Sequence, residues 1–163
     1  MTGQDAPRPL TATLDVAASP AQVWDVVADV RRTGEWSPEC RRVLPLGRLR
    51  TGALLVGVNR RRRVGWVTLS RVTTCTPGRE LGWVVLTNRA EWLYRLEPNG
   101  SGTTITQTRR TPRGEGRFAL WFTRVFLDGQ ATHDDELEQG MLAGLRRIGD
   151  LADRGRDRVA AIG

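Results

Sequence analysis

The side chains best suited to chemistry in this 163-residue chain are few and lie far apart in the sequence. His133 is the single histidine, and therefore the one side chain that titrates near neutral pH without a special environment. It lies in a polar stretch, residues 132–136, that is typical of a solvated helix turn. Tyr94 and Arg109 complete a loose set of weak catalytic candidates. Because the sequence has no Ser/His/Asp order typical of a triad and no glycine-rich phosphate loop, it favours a binding role over a catalytic one.

The two cysteines give no indication of a metal or cofactor site. Cys40 and Cys75 are 35 positions apart, and the chain contains neither a CxxC pair nor a second histidine that would complete a zinc or iron–sulfur ligand set. We interpret both residues as free thiols. The sequence therefore predicts a protein that uses no metal and no cofactor.

The net charge of +7 raises the question of nucleic-acid binding, since basic proteins are attracted to phosphate. All 25 basic residues are arginine and none is lysine, which indicates a coding bias more than a selected binding surface. The one dense run, Arg60 to Arg63, falls between two strand-like segments and is interpreted as a solvated hairpin turn. We therefore expect no nucleic-acid partner.

Hydropathy indicates neither a secreted nor a membrane-inserted protein. No apolar run approaches the roughly 18 residues needed to span a bilayer, and residues 1–10 lack the apolar core of a signal peptide. We expect a cytoplasmic protein without stable membrane insertion.

The first elements are predicted to be a strand and a short helix. Leu10 to Val16 alternates between apolar and polar residues, which is typical of a half-buried strand. Ser19-Pro20-Ala21-Gln22 has the pattern of a helix start, with serine as N-cap, proline in the first turn and glutamine completing a capping box. A second short turn near Arg31 to Gly34 ends before Pro38.

The middle of the chain then changes to a period of two residues. Turn signals such as Pro77-Gly78 separate its segments, and their short connections favour antiparallel pairing. We predict six further strands, near residues 41–46, 53–60, 64–75, 80–87, 90–97 and 103–110. Beyond Pro112 helical spacing returns, with apolar stripes in 118–127 and 137–152. We predict one domain, 8–154, between flexible tails at 1–7 and 155–163.

This order of elements resembles the α+β helix-grip fold, in which a curved antiparallel sheet of about seven strands wraps a long C-terminal helix. Short motifs occur in order from about Leu10 to Ala152, among them Ser19 to Trp24, Trp36 to Glu39, Pro77 to Trp83, Glu91 to Pro98 and Gly140-Met141. Through these motifs the chain is similar to the polyketide cyclase/dehydrase-type branch of the START/Bet v1-like (SRPBCC) superfamily. This resemblance implies a deep, mostly apolar cavity between the sheet and the last helix.

Strand alternation indicates which side chains would face that cavity. The aromatic members suit a packed core as well as a pocket wall, whereas a polar side chain on an inward face needs a partner or loses roughly 1–3 kcal/mol. An inward arginine implies a carboxylate nearby, an anionic ligand, or a position at the rim. The predicted ligand-binding residues are Trp36, Asn59, Trp66, Thr68, Ser70, Trp83, Trp92, Tyr94, Gln107, Arg109, Phe122 and Met141.

Three functional hypotheses follow. The first is binding or carriage of a small hydrophobic or aromatic molecule, such as a lipid, polyketide or isoprenoid. The second is a polyketide cyclase or dehydratase that acts on a poly-ketone in the same cavity without a cofactor. The third is an interaction module that docks through the very apolar segment 118–127. A homodimer is compatible with each of them.

Overall fold

The computed structural model describes residues 8–111 and 130–161, with the backbone alone described for residues 130–134 and Val159. Seven antiparallel strands form one sheet in the order β1-β7-β6-β5-β4-β3-β2. The elements are β1 (Leu10–Val16), α1 (Pro20–Val27), a 3₁₀ helix (Val30–Glu35), β2 (Cys40–Leu46), β3 (Leu54–Arg61), β4 (Val64–Thr76), β5 (Glu80–Val85), β6 (Glu91–Pro98), β7 (Thr103–Arg110) and α2 (Gln130–Ala160). The predicted α+β fold with a long C-terminal helix is confirmed.

Helix α1 begins with the capping box that its sequence predicts. The Gln22 backbone N–H donates to Ser19 Oγ at 3.3 Å, and the Ser19 N–H donates to Gln22 Oε1 at 2.8 Å. These two bonds satisfy donors that have no partner within the helix. The apolar face that follows, with Val23, Val26 and Val27, is buried.

The hairpin between β3 and β4 corrects the interpretation of the arginine run. Arg62, which has a φ of 52°, and Arg63 form the turn and are exposed. Arg61, by contrast, is paired with Val64 in the ladder, and its side chain is only 14% exposed. Two-residue alternation places it on the same face of β3 as Asn59, so it points inward. Only part of the run is therefore a solvated turn.

The core lies between α2 and the inner face of the sheet. Leu145 and Ile148 of α2 are fully buried and pack in one cluster with Ile105 and Leu96 of the central strands. A second cluster beneath β3, β4 and β5 contains Leu55, Val72 and Leu81. The region between the two clusters is where a cavity opens.

Helix α2 continues to Ala160, so residues 155–160, predicted to be tail, form additional helical turns. Because residues 154–158 are exposed, this end adds little to the core. The apolar segment 118–127 lies outside the described residues. Within the described part of the chain, the helices are too short or too polar to cross a membrane.

Candidate functional site

A cavity of about 380 Å³ lies between the inner face of the sheet and α2. This volume falls within the range of about 300–1,000 Å³ that small-molecule sites occupy. Most of the predicted ligand-binding residues line it: Trp36, Asn59, Trp66, Thr68, Ser70, Trp83, Trp92, Tyr94, Gln107, Arg109 and Met141. Phe122 lies outside the described residues, and so does the side chain of His133, whose backbone belongs to α2.

The mouth of the cavity follows from the strand directions. The turn after β3, the connection from β5 to β6 and the end of β7 all lie at one end of the sheet, because consecutive strands are antiparallel. Cys40 at the start of β2 pairs with Asn59 and lies at the same end. Exposed Thr87 and half-buried Asn88 belong to the lining, which locates the opening there.

One wall of the cavity is aromatic. Trp83 and Trp92, directly opposite each other on β5 and β6, stack with ring centroids 6.2 Å apart and planes inclined by 10°. The ring centroid of Tyr94 lies 5.8 Å from that of Trp83, and the two ring planes are inclined by 44°. Such a surface presents large, flat, rigid groups to a ligand.

Arg109 is half-buried at one edge of this wall. It lies opposite Trp92 in the register of β6 and β7, and its guanidinium carbon is 5.8 Å from the centroid of the Trp92 ring. A cation over an indole face is stabilised by the ring quadrupole. The positive charge of Arg109 also acts to lower the pKa of Glu39. The sequence left three alternatives for Arg109: a nearby carboxylate, an anionic ligand, or a position at the rim. In the structure Arg109 lies toward the rim and also has a carboxylate, Glu39, within electrostatic range.

Three neutral polar side chains meet deep in the cavity, and we call them the inner polar cluster: Trp36, Tyr94 and Gln107. They are 2%, 6% and 7% exposed. The Gln107 Nε2 group donates to the Tyr94 hydroxyl oxygen at 3.1 Å, because the two residues are cross-strand neighbours. Burial raises the pKa of Tyr94 well above its ordinary value, so its phenol stays protonated.

Trp36 has a different status within this cluster. Its indole Nε1 is buried and has no hydrogen-bond partner of normal geometry among the described residues. It nevertheless lies close enough to the Tyr94 hydroxyl to oppose, in part, the effect of burial on the pKa of Tyr94. A buried N–H without a well-aligned partner is costly, so this group is the weakly satisfied member of the cluster.

Two glycines of α2 allow Trp36 to take this position. A Cβ atom on Gly144 would lie 3.1 Å from the Trp36 carbonyl oxygen, and one on Gly140 would lie 2.9 Å from Pro38 Cγ. The spacing of four residues puts both glycines on one face of the helix. The segment that carries Trp36 can therefore pack directly against the helix backbone.

The polar residues nearer to the mouth are already paired within the protein. Asn59 Nδ2 donates to Thr68 Oγ1 at 3.2 Å, and also approaches the Gly57 carbonyl at 3.4 Å. Both side chains are half-buried. Their mutual bond supplies the partner that an inward polar side chain requires.

Charged side chains form a second group, the rim cluster: Glu39, Arg61 and Glu136. Arg61 donates a hydrogen bond to Glu136 of α2, and its Nε lies 3.7 Å from Glu39 Oε1. Burial raises the pKa of Glu39, while the charges of Arg61 and Arg109 act in the opposite direction. The sequence interpretation missed Arg61, although its alternation with Asn59 was a sufficient signal.

Cys40 also lines the cavity, close to Glu39. Burial raises the pKa of its thiol, and its Sγ lies 3.6 Å from the Arg42 carbonyl oxygen. Both cysteines are free thiols. Across residues 8–111 and 130–161, no group of three or more His, Cys, Asp or Glu side chains is arranged to hold a metal ion.

Comparison with known proteins agrees with this architecture. The solution structure of a polyketide-cyclase-like protein from Corynebacterium glutamicum is 28% identical, with a TM-score of 0.56 and coverage of 93% of both chains. The Zhui aromatase/cyclase from a Streptomyces species is 19% identical, with a TM-score of 0.67 and coverage of 90% of this chain and 94% of that one. The di-domain aromatase/cyclase StfQ of the steffimycin pathway is 13% identical, with a TM-score of 0.69 and coverage of 91% of this chain and 51% of that one.

No curated protein sequence matches this chain significantly. The profile of one family, however, matches residues 8–147, and that family is described as polyketide cyclase / dehydrase and lipid transport. The match confirms the predicted SRPBCC-type relationship and supports a hydrophobic-ligand-binding or cyclase role. Since it spans most of the sequence, the chain belongs to the polyketide cyclase / dehydrase and lipid transport family.

Proposed function

We propose that this protein binds and carries a small, flat, hydrophobic or aromatic molecule in the cavity beneath α2. The observation that carries the proposal is the stacked wall of Trp83 and Trp92 beside a cavity of about 380 Å³. A packed core would close such a volume, since empty apolar space costs stability. The family match and the aromatase/cyclase neighbours support the same class of ligand.

The proposal is tested by titrating the purified protein with fluorene, a rigid three-ring hydrocarbon, and with palmitate. Fluorene is expected to quench the emission of the cavity tryptophans in a saturable way. Palmitate reports whether a flexible chain is accepted as well. Absence of saturable binding of both compounds would contradict the proposal.

A matched pair of variants locates the binding. Ser70 is 5% exposed and lines the cavity, whereas Leu69 beside it is 38% exposed on the opposite face. Ser70→Phe should fill the cavity and abolish fluorene binding, while Leu69→Phe should leave binding unchanged. Equal loss of affinity in both variants would indicate that the ligand does not enter the cavity.

A cyclase or dehydratase is the second candidate, and a specific pair of residues favours it. Tyr94 is a protonated phenol able to polarise a ketone, and Glu39 is a carboxyl group with a raised pKa; both line the same cavity. In an aldol condensation the Glu39 carboxylate would remove a proton alpha to one carbonyl, and the resulting enolate would attack a second carbonyl carbon. Return of that proton to the new alkoxide gives a β-hydroxy ketone. Loss of a second alpha proton together with the hydroxyl group then forms the C=C bond and releases one water.

This second candidate is tested by incubating the protein with a linear tri-β-ketone and following the loss of one water by mass spectrometry. Acceleration by the native protein that disappears in Glu39→Gln would support catalysis. Equal rates with and without the protein would favour the carrier.

A further inference from the structure

We propose that the outer face of strands β2, β3 and β4 docks onto an anionic lipid bilayer. This face is turned away from the cavity, so the inference goes beyond the proposed function and does not depend on the molecule that the cavity binds. Three observations carry it: an exposed aliphatic patch, a border of arginines around that patch, and the lack of any acidic side chain in residues 40–79.

Exposed aliphatic side chains form one continuous patch on this face. Val58 and Val67 lie directly opposite each other on β3 and β4, and they are 39% and 65% exposed. Leu69 follows Val67 by two positions on the same face and lies opposite Val56. The Leu86 N–H donates to the Leu69 carbonyl oxygen at 2.8 Å, which places Leu86 beside Leu69. We call these five residues the outer patch.

The rest of the same outer face is polar. Thr104 of β7 donates to Asp15 of β1 at 2.6 Å, and Arg95 of β6 forms an ion pair with Glu80 at 3.0 Å. A sheet face in contact with water usually carries such polar residues. The side chains of the outer patch, in contrast, are aliphatic, and four of the five are at least 38% exposed. A contiguous exposed apolar surface of this kind is typical of an interaction site.

Exposed arginines border the outer patch. Arg42 of β2 lies directly opposite Val58. Arg60 lies two positions beyond Val58 on β3 and therefore shares its face. Arg71 has the same relation to Leu69 on β4. Because β3 and β4 are antiparallel, Arg60 and Arg71 lie at opposite ends of the patch.

The segment that carries this face has an extreme charge. Residues 40–79 contain ten of the 25 arginines and none of the 18 acidic residues of the chain. A coding bias toward arginine explains the type of basic residue, but it does not remove acidic residues from one segment. A positive potential therefore extends over the outer patch and its border.

An anionic bilayer fits both parts of this surface. Aliphatic side chains enter the boundary between headgroups and acyl chains, while the arginines around them meet negatively charged headgroups. Such a contact is peripheral and reversible, and it requires no part of the chain to cross the bilayer.

Other occupants match this surface less well. A second copy packed by two-fold symmetry would bring the arginines of both copies together, without acidic partners from residues 40–79. A nucleic acid would place phosphates against the aliphatic centre, and the outer patch has no aromatic ring on which a base could stack. Protein partners favour aromatic anchors, which the outer patch also lacks.

The test is co-sedimentation of the full chain with two kinds of vesicle at about 0.15 M salt. One kind is pure phosphatidylcholine, and the other is an equal mixture of phosphatidylcholine and the anionic lipid phosphatidylglycerol. The anionic vesicles should bind the protein at least about ten-fold more tightly, because each arginine near the surface contributes about five-fold. No binding to anionic vesicles, or equal binding to both kinds, would overturn the inference.

A first pair of variants tests the arginine border. Arg42→Gln combined with Arg60→Gln should weaken binding to anionic vesicles by about ten-fold or more. The matched control is Arg95→Gln combined with Arg110→Gln, which removes two exposed arginines from the polar part of the outer face. These lie at least two strand spacings, roughly 10 Å, from β4, so the control should lose less than about two-fold. Equal losses in the two double variants would overturn the assignment to this face.

A second pair of variants tests the aliphatic centre. Leu69→Glu places a negative charge within the outer patch and should abolish binding to anionic vesicles. Thr13→Glu introduces the same charge at an exposed position on the polar part of the outer face and should leave binding nearly unchanged. Circular dichroism verifies the folding of each variant. Vesicle binding by folded Leu69→Glu at the native level would overturn the inference.

The alternative partners give different results. Tighter binding of a DNA duplex than of the anionic vesicles at the same salt would overturn the inference in favour of a nucleic acid. A dimer in light scattering that Leu69→Glu dissociates would overturn it in favour of a second copy. Binding to anionic vesicles by a native protein that binds neither fluorene nor palmitate would support this inference while contradicting the proposed carrier.

Discussion

The inner polar cluster and the rim cluster differ in the charge of their side chains and in how those side chains are paired. Trp36, Tyr94 and Gln107 are neutral and less than 10% exposed; Gln107 donates to the Tyr94 hydroxyl, whereas Trp36 Nε1 has no partner of normal geometry in the described structure. Glu39, Arg61 and Glu136 carry charges, lie nearer to solvent, and are paired with one another across three chain segments.

This difference follows from the cost of burying each kind of group. An unpaired neutral donor lowers the stability of the fold by a few kcal/mol at most. An unpaired buried charge costs much more, so it needs an opposite charge next to it. The deep end can therefore contain a neutral donor without a partner. The mouth must satisfy its charges within the protein, and in doing so it ties β3 to α2.

The largest expected effect concerns the frame that supports the inner polar cluster. Leu145 is fully buried and follows Gly144, against which Trp36 packs. Leu145→Ala should lower the free energy of unfolding by about 2–5 kcal/mol, because it leaves a cavity in a packed core. Urea unfolding followed by tryptophan fluorescence measures this loss.

The control for that prediction lies close to the mouth. Val67 is 65% exposed, so Val67→Ala should change the free energy of unfolding by no more than about 0.5 kcal/mol. Similar losses in the two variants would contradict the distinction between a packed interior and a tolerant rim.

The next effect concerns the rim cluster itself. Arg61→Ala should lower the free energy of unfolding by roughly 1–2 kcal/mol, since it removes the cation whose Nε lies 3.7 Å from the half-buried Glu39 carboxylate. Adding Glu39→Gln should recover part of the loss, because the uncompensated charge is then removed. Thermal or urea unfolding of the single and double variants completes a double-mutant cycle.

Arg95→Ala is the matched control for Arg61. Arg95 forms a comparable ion pair with Glu80 at 3.0 Å, but its side chain is 52% exposed. Loss of this surface pair should cost less than about 1 kcal/mol. If both arginine variants were equally destabilised, the burial of Arg61 would be irrelevant to its role.

The smallest effect appears only at high pH and isolates the inner polar cluster. Tyr94 is the single tyrosine of the chain, so phenolate absorbance reports on it alone. Its pKa is raised by burial, hence the folded state holds the proton at pH values where the unfolded chain has lost it. Stability should therefore fall as the pH rises above the ordinary tyrosine value of about 10, by about 1 kcal/mol over the first unit.

Near pH 11 the native protein should show little phenolate signal, and the denatured protein should show about nine-tenths of it, since the pH is then about one unit above the ordinary tyrosine pKa. Tyr94→Phe should remove this pH dependence of unfolding. A native titration at the ordinary pKa would contradict the burial of the hydroxyl and, with it, the role of Tyr94 as a donor.

Sequence periodicity predicted the elements well for a physical reason. Two-residue alternation and helix-start signals are local, and they specify which face of each strand is buried wherever one side of a sheet is covered. The prediction placed β1 at its observed bounds and the other strands within about two residues. It also put Asn59, Gln107 and Tyr94 on the inward face.

Local patterns could not decide how inward side chains are partnered. Asn59 and Thr68 are nine positions apart and hydrogen-bonded, whereas Trp36 Nε1 is equally inward and unpaired. The difference arises because antiparallel register brings the first pair together, while Trp36 arrives from a separate segment packed on α2. Arg61 illustrates the same limit, since its acidic partners lie 22 and 75 positions away.

The sequence by itself therefore determined the order of the elements, their inward faces and the aromatic side chains on those faces, all of which depend on short-range periodicity and side-chain type, while the helix-grip fold and its cavity were implied by the family resemblance. Only the tertiary structure decided which inward polar groups are partnered within the protein and which are not. That distinction depends on distances of about 3 Å between residues far apart in the chain, and such distances are set by packing and register.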